Sequence, residues 1–258
     1  MTTSVSCGVS LDSAACGYGA ETVLRDVTIA CNSGEVVALL GANGSGKSTL
    51  LKTMAGAIRP LSGSVRVGAD EVQSLSKREV ALRIGYVPQI ESPAFDFSVL
   101  EVVLMGRMPH SIGLFETKED HVAAERAMQR ADCAYLADRP VSELSGGEGQ
   151  RVRIARALAQ EAPVLLMDEP TTHLDVKHQI DIGRLARQLA ADGLTIVVAV
   201  HDLNWAAAFA SRAALLHEGR IELDGPTAET LESPVVDRAF GVKFSRVRDQ
   251  GLRLLAEV

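Results

Sequence analysis

The stretch "EVVALLGANGSGKST", Glu35 to Thr49, decides the fold. A strand-sized apolar run ends at Leu40, and Gly41-Ala-Asn-Gly-Ser-Gly-Lys47-Ser48 follows at once in the pattern G-x-x-x-x-G-K-[ST]. The next residues, "STLLKTMAGA", carry apolar side chains at helical spacing. A glycine-rich turn between a buried strand and a helix is the context that a phosphate cradle requires. Gly41, Gly44 and Gly46 let backbone N–H groups curl around phosphate, with Asn43, Ser45 and Thr49 in the same loop and first turn, and the helix N-terminus adds its positive end. Lys47 is placed to reach the β- and γ-phosphates of a nucleotide, and Ser48 to ligate Mg²⁺.

Outward from the cradle, β-branched and apolar runs recur at Thr22 to Ala30, Ser64 to Val67, Ile84 to Val87, Val164 to Met167, Leu194 to Val200 and Ala213 to Gly225. Helical patterns cover Lys47 to Ala57, His121 to Ala131, Glu148 to Gln160, Gln179 to Asp192 and Leu203 to Ser211. Fully apolar strands alternating with helices predict an α/β protein, a P-loop core with a mostly parallel sheet covered on both faces. The first strands and "SVRVGAD" alternate apolar and polar residues, as an antiparallel β subdomain wet on one face does. Strand signals vanish from about Ile90 to Ala162. One domain is therefore expected, with residues 1–89 and 163–258 as nucleotide-binding core and 90–162 as an inserted helical subdomain.

Bulk properties narrow the function. At 258 residues the chain can bury a full α/β core without staples. Cys7, Cys16, Cys31 and Cys133 show neither metal spacing nor a disulfide framework, so free thiols in a reducing compartment are expected. The first residues show no basic-then-apolar leader, and no apolar run approaches the roughly 18 residues of a membrane span. A formal net charge of -7 argues against nucleic acid as a partner, because such domains usually carry a basic face.

"VLLMDEP" ends a buried strand with Asp168 and Glu169. Ligands of open α/β sheets sit at the carboxyl ends of strands, so both acids should emerge beside the cradle. Asp168 is expected to hold Mg²⁺, directly or through water, and Glu169 to take a proton from the attacking water. A GTPase or a sugar kinase shares these features, but no N-K-x-D guanine-reading motif is present, and an acid directly after the magnesium aspartate favours water as acceptor. Hydrolysis of ATP is the leading chemistry.

The combination resembles the ATP-binding cassette ATPases along nearly the whole chain. Tyr18 looks like the aromatic residue on which that family stacks adenine, and Gln89 in "YVPQ" is similar to its Q-loop glutamine, which touches Mg²⁺ and water. "LSGGE", with Ser145, Gly146, Gly147 and Glu148, resembles the signature motif. "THLD", with Asp175, resembles the D-loop, and His201 after "TIVVAV" the switch histidine that contacts the γ-phosphate. Gly149-Gln150 after the signature and Thr172-His173 in the D-loop depart from common forms without touching the nucleotide-facing positions.

The signature stretch also reads locally as a capping box, Ser145 at N-cap and Glu148 at N3, ahead of an amphipathic helix with Val152, Ala155, Leu158 and Ala159 on one side. Two glycines in a first turn sacrifice up to about 1 kcal/mol each relative to alanine, so something is expected to approach that backbone closely. The family resemblance implies that this something is the γ-phosphate bound by a second copy. Two chains would then pack head to tail, each ATP held between Lys47 of one and Ser145 and Gly147 of the other.

The task of such a clamp is read from one more segment. "FDFSVLEVVLMGRMPHSIGLF", Phe95 to Phe115, is too apolar for a plain solvated loop, and together with "THLDVKHQ" it resembles importer ATPases for ferric siderophores, haem and cobalamin. The resemblance implies integral membrane permease subunits as partners, an indirect link to a substrate-binding protein, and a peripheral place at the cytoplasmic face of the cell membrane. Ferric siderophore is the first choice of substrate, and haem or cobalamin the next. The alternative is a cytosolic ATPase of the Fe–S assembly type.

Overall fold

The computed structural model describes residues 8–89, 97–111, 115–248 and 251–256. Cys7, Phe95, the start of the expected helical subdomain at Ile90 and the Ile112-Gly113-Leu114 part of the apolar segment lie outside them. Strand β1 (Val9–Tyr18) pairs antiparallel with β2 (Glu21–Cys31), and β3 (Val36–Leu40) leads into α1 (Lys47–Met54). Strand β1 escapes the sequence pattern because its alternation breaks at a bulge between Leu11 and Ala14, where Ser13 takes φ 47. Tyr18 is the last residue of that strand.

Strands β4 (Ser62–Val67) and β5 (Asp70–Glu71) complete a four-stranded antiparallel sheet in the order β2-β1-β4-β5. After α2 (Lys77–Ala81) and β6 (Ile84–Val87), the described residues carry α3 (Val99–Leu104), α4 (Lys118–Arg130) and α5 (Gly146–Ala159) with short 3-10 turns between them. Then β7 (Val164–Asp168), α6 (Val176–Ala191), β8 (Thr195–Ala199), α7 (Leu203–Phe209) and the hairpin β9 (Arg212–His217) to β10 (Arg220–Pro226) complete a six-stranded sheet. Its order is β10-β9-β3-β8-β7-β6, parallel except for β10. The run Ala213 to Gly225 is thus two strands, since Glu218 and Gly219 take φ 47 and 74 and turn the chain. Helices α8 (Thr227–Glu232) and α9 (Pro234–Phe240) and the hairpin β11 (Phe244–Arg248) to β12 (Leu252–Ala256) follow.

The central strands are apolar at every position because each face has its own core. Val36, Ala38 and Leu40 of β3 join the cluster under the helices α3 to α7, while Val37 and Leu39 join the cluster shared with α1 and the antiparallel sheet. Strand β7 divides the same way, Leu165 and Met167 to one side and Val164 and Leu166 to the other. Because β3, β8 and β7 are neighbours and parallel, their carboxyl ends open at one edge of the molecule. Buried Arg107 braces the helical layer, reaching Asp120, Glu161 and the Ala159 carbonyl.

Candidate nucleotide site

The loop from Gly41 to Gly46 leaves β3 and enters α1 with Gly46 at its N-cap, φ 100. A Cβ there would meet Leu24 Cδ2 at 2.8 Å in a conformation that side chains rarely adopt, so glycine is required. Lys47 is buried and its Nζ donates to the carbonyls of Gly41 (2.8 Å) and Ala42 (3.1 Å). Burial pulls its pKa down, against the carboxylates of Glu169 and Asp168. Ser45 Oγ is buried and has no hydrogen-bond partner among the described residues, the kind of orphan that a phosphate oxygen would satisfy. Asn43, Gly44, Ser45, Gly46, Lys47, Ser48 and Thr49 form one wall of a cavity of about 480 Å³.

The opposite wall comes from the strand ends. Gln89 after β6, Glu169 and Thr172 after β7, and His201 after β8 line the same cavity. Ser48 Oγ donates to Asp168 Oδ1 at 2.9 Å and the Tyr86 phenol donates to Oδ2 at 3.2 Å. Burial raises the Asp168 pKa, and these two donors work against it. Glu169 sits at φ 46 with its N–H on the Ala199 carbonyl, a left-handed conformation that costs a non-glycine residue roughly 1–3 kcal/mol. Its Oε2 accepts from Gln89 Nε2 (2.9 Å) and Thr172 Oγ1 (3.0 Å), with His201 Nδ1 at 3.8 Å. Such strain is tolerated where a side chain must be aimed.

The remaining expected site residues stand elsewhere. Tyr18, 49 % exposed, lies at the β1–β2 hairpin and outside the lining of the cavity, to which Val23 of β2 contributes instead. Ser145 caps α5 in a full capping box with Glu148, whose carboxyl is held below its usual range by the Ser145 backbone and hydroxyl. Ser145, Gly146, Gly147 and Glu148 line no part of the cradle cavity. Asp175 caps α6, accepting from both the backbone and Nδ1 of His178 (2.9 and 2.8 Å). The close approach expected at the signature glycines is made at Gly147 by this chain's own His178, whose Cδ2 lies 2.2 Å from where a Cβ would be. At Gly146 the nearest group is Leu174 Cδ2 at an ordinary 3.6 Å.

Comparison with known proteins settles the family. The family model for ABC transporters matches residues 24–172. The chain belongs to the ABC transporter family. It is an ATPase of that family and binds nucleotide. A hemin import ATP-binding protein of Streptomyces coelicolor is 46% identical over 222 residues, 86% of this chain and 79% of that protein. The ferric enterobactin transport ATP-binding protein of Escherichia coli is 40% identical over 236 residues, 90% of this chain and 87% of the other. A cobalamin import ATP-binding protein of Halobacterium salinarum is 44% identical over 224 residues, 86% of this chain and 56% of that longer protein. Among solved structures, a metal-chelate type ABC transporter in an inward-facing conformation superimposes with a TM-score of 0.85 at 30% identity over 97% of both chains. A dimeric bacterial ABC transporter cassette matches with a TM-score of 0.74 at 32% identity, covering 85% of this chain and 98% of the other.

For an ABC ATPase the donor set also suits a hard divalent ion. The Ser48 hydroxyl, the Asp168 carboxylate and the amide oxygen of Gln89 are the oxygen ligands that Mg²⁺ takes together with nucleotide phosphates. Among the described residues no cluster of three or more His, Cys, Asp or Glu side chains offers a competing metal site. Tyr86, Thr172 and His178 each touch a site residue, and motif reading singled out none of them for it. Thr172 was the most findable, three residues after Glu169 in the turn that its N–H closes on the Glu169 carbonyl (3.2 Å). Among the described residues Cys16, Cys31 and Cys133 are free and buried, and burial pushes the Cys31 and Cys133 thiols up to about 12, which keeps them unreactive.

Proposed function

We propose that this ATPase powers uptake of a metal chelate through separate membrane permease subunits, at the cytoplasmic face of the cell membrane. The observation that carries the reading is the likeness, along most of the chain, to ATP-binding subunits named for hemin, ferric enterobactin and cobalamin. Among the described residues no helix is long and apolar enough to cross a membrane, and the proposal gives the spanning path to separate permease subunits. Ferric siderophore remains the first choice of substrate, with haem and cobalamin next, and a substrate-binding protein acts indirectly.

The chemistry assigned to the site uses its own residues. The 41–49 loop and Lys47 hold the β- and γ-phosphates, and Tyr18 provides the face for adenine. Ser48, Asp168 and Gln89 would hold Mg²⁺, which when bound neutralises phosphate charge. Glu169 accepts the proton of the attacking water, and His201 orients the γ-phosphate. Ser145 to Glu148 and Asp175 lie off the cradle and act on the nucleotide of a second copy packed head to tail. Residues 90–162 carry that signature as a helical subdomain.

The test is reconstitution of the chain with its permease in liposomes. Binding proteins loaded with a ferric siderophore, haem or cobalamin should differ in how strongly they stimulate ATP hydrolysis. Stimulation by none of them, or no association with a permease, would overturn the importer reading.

A further inference from the structure

The two oxygens of Asp168 are held from opposite sides. Ser48, which reaches Oδ1, lines the cavity of the phosphate loop. Tyr86, which reaches Oδ2, lines none of it. Its ring borders a different groove of about 520 Å³, walled by Ala55 to Arg59 behind α1 and by Val72, Leu75 and Val80 near α2. The ring is set firmly, because β6 pairs with β7 in a register that places Tyr86 opposite Leu166, and the ring packs on the apolar cluster that contains Leu166. Asp168 itself is 3% exposed, so water competes little for either oxygen.

We propose that Tyr86 is a positioning residue that makes Asp168 a one-oxygen ligand and thereby sets which divalent ion the nucleotide site accepts. This rests on the reading that ATP is used with Mg²⁺. Mg²⁺ demands near-octahedral geometry at about 2.0–2.1 Å, whereas Ca²⁺ takes 6–8 oxygens at roughly 2.3–2.6 Å and readily chelates both oxygens of a carboxylate. The phenol hydrogen bond fixes the rotation of the carboxylate, leaving Oδ1 toward Ser48 and the cradle and Oδ2 toward the groove. Without the phenol hydroxyl the group can swing both oxygens onto a larger ion. A hydroxyl that served only to satisfy its own burial would have no bearing on the choice of ion.

The experiment uses the full chain and Tyr86→Phe, which keeps the ring and removes only the donor. Binding of a fluorescent ATP analogue is titrated in EDTA, with Mg²⁺ and with Ca²⁺, and bound Mn²⁺ is followed by electron paramagnetic resonance. In EDTA the two proteins should bind within about twofold of each other. The ratio of Ca²⁺-supported to Mg²⁺-supported affinity should rise roughly fivefold in the variant, the ratio that one ordinary hydrogen bond is worth. An unchanged ratio, or an equal loss in all three conditions, overturns the proposal. Wild-type binding that ignores divalent ions would remove the magnesium reading and this proposal with it. Should the variant not fold, infrared carboxylate bands of the wild type labelled with ¹³C-aspartate decide. A two-oxygen signature with Mg²⁺ overturns the idea, and a one-oxygen signature supports it.

Discussion

Gln89 and Glu169, 80 residues apart, are joined by one hydrogen bond, the glutamine amide donating to Glu169 Oε2 at 2.9 Å. Thr172 Oγ1 donates to the same oxygen at 3.0 Å. One oxygen of the carboxylate proposed to take the proton from water thus carries two donors, which hold its orientation. Glu169→Gln keeps the shape and removes the base. It should bind ATP within a few-fold of wild type, lose about 10²–10⁴-fold in turnover and accumulate as an ATP-bound dimer on size exclusion. Ready dissociation of that variant in ATP would contradict the shared site.

Thr172 offers a finer probe of the same carboxylate. Thr172→Val removes its donor while keeping the side-chain shape, so Glu169 loses one of the groups that orient it in its left-handed backbone position. Turnover measured by phosphate release should fall roughly three- to tenfold, as expected for one hydrogen bond, with nucleotide affinity unchanged. Thr172→Ser should retain wild-type turnover.

What the sequence made legible follows from what is local. The cradle and the Asp168-Glu169 pair are contiguous motifs placed at strand ends by apolar runs, and the structure gathers the cradle and Glu169 in one cavity with Gln89 and His201, while Asp168 joins it through its hydrogen bond to Ser48. Strand β1 was hidden because its bulge breaks the period of two on which strand reading depends. Tyr86 was hidden for another reason. Its reach to Asp168 depends on β6 pairing with β7 in one register, which the order of residues in "IGYV" does not express. At Gly147 the sequence marked a close approach correctly, but the group that makes it within the chain comes from α6, reached through a tertiary contact.

Asp120 sets an acid limit on the helical layer. The Thr117 backbone N–H first, then its hydroxyl, and Arg107 hold the Asp120 carboxyl down at about 2, against an ordinary value of 3.8. The folded value lies below the unfolded one, so the ionised group contributes its full stability above roughly pH 4 and loses it as pH falls through about 2. Urea unfolding of the wild type should therefore weaken more steeply across that window than unfolding of Asp120→Asn, which has no proton to gain. Parallel curves would place the acid sensitivity elsewhere.

The signature glycine can be tested so that packing and catalysis separate. A Cβ at Gly147 would lie 2.2 Å from His178 Cδ2, and the imidazole is tied through Nδ1 to Asp175 at 2.8 Å. Gly147→Ala must therefore displace the ring or the helix start, at a cost of about 1–3 kcal/mol for overpacking. Adding His178→Ala clears the ring, so the double variant should recover most of the lost thermal stability, the non-additivity expected of two groups in contact. Turnover separates the two roles. If Gly147 is bare only to admit His178, the double variant regains hydrolysis along with stability. If it is bare because the partner's γ-phosphate approaches it in the dimer, the double variant stays stable, binds nucleotide at its cradle and hydrolyses no faster than Gly147→Ala. The second outcome is expected, because Ser145 and Gly147 stand outside their own chain's phosphate cavity at the start of a capped 14-residue helix. Ser145 takes the Glu148 N–H, so the N–H groups of Gly146 and Gly147 are the ones that a partner's phosphate would meet.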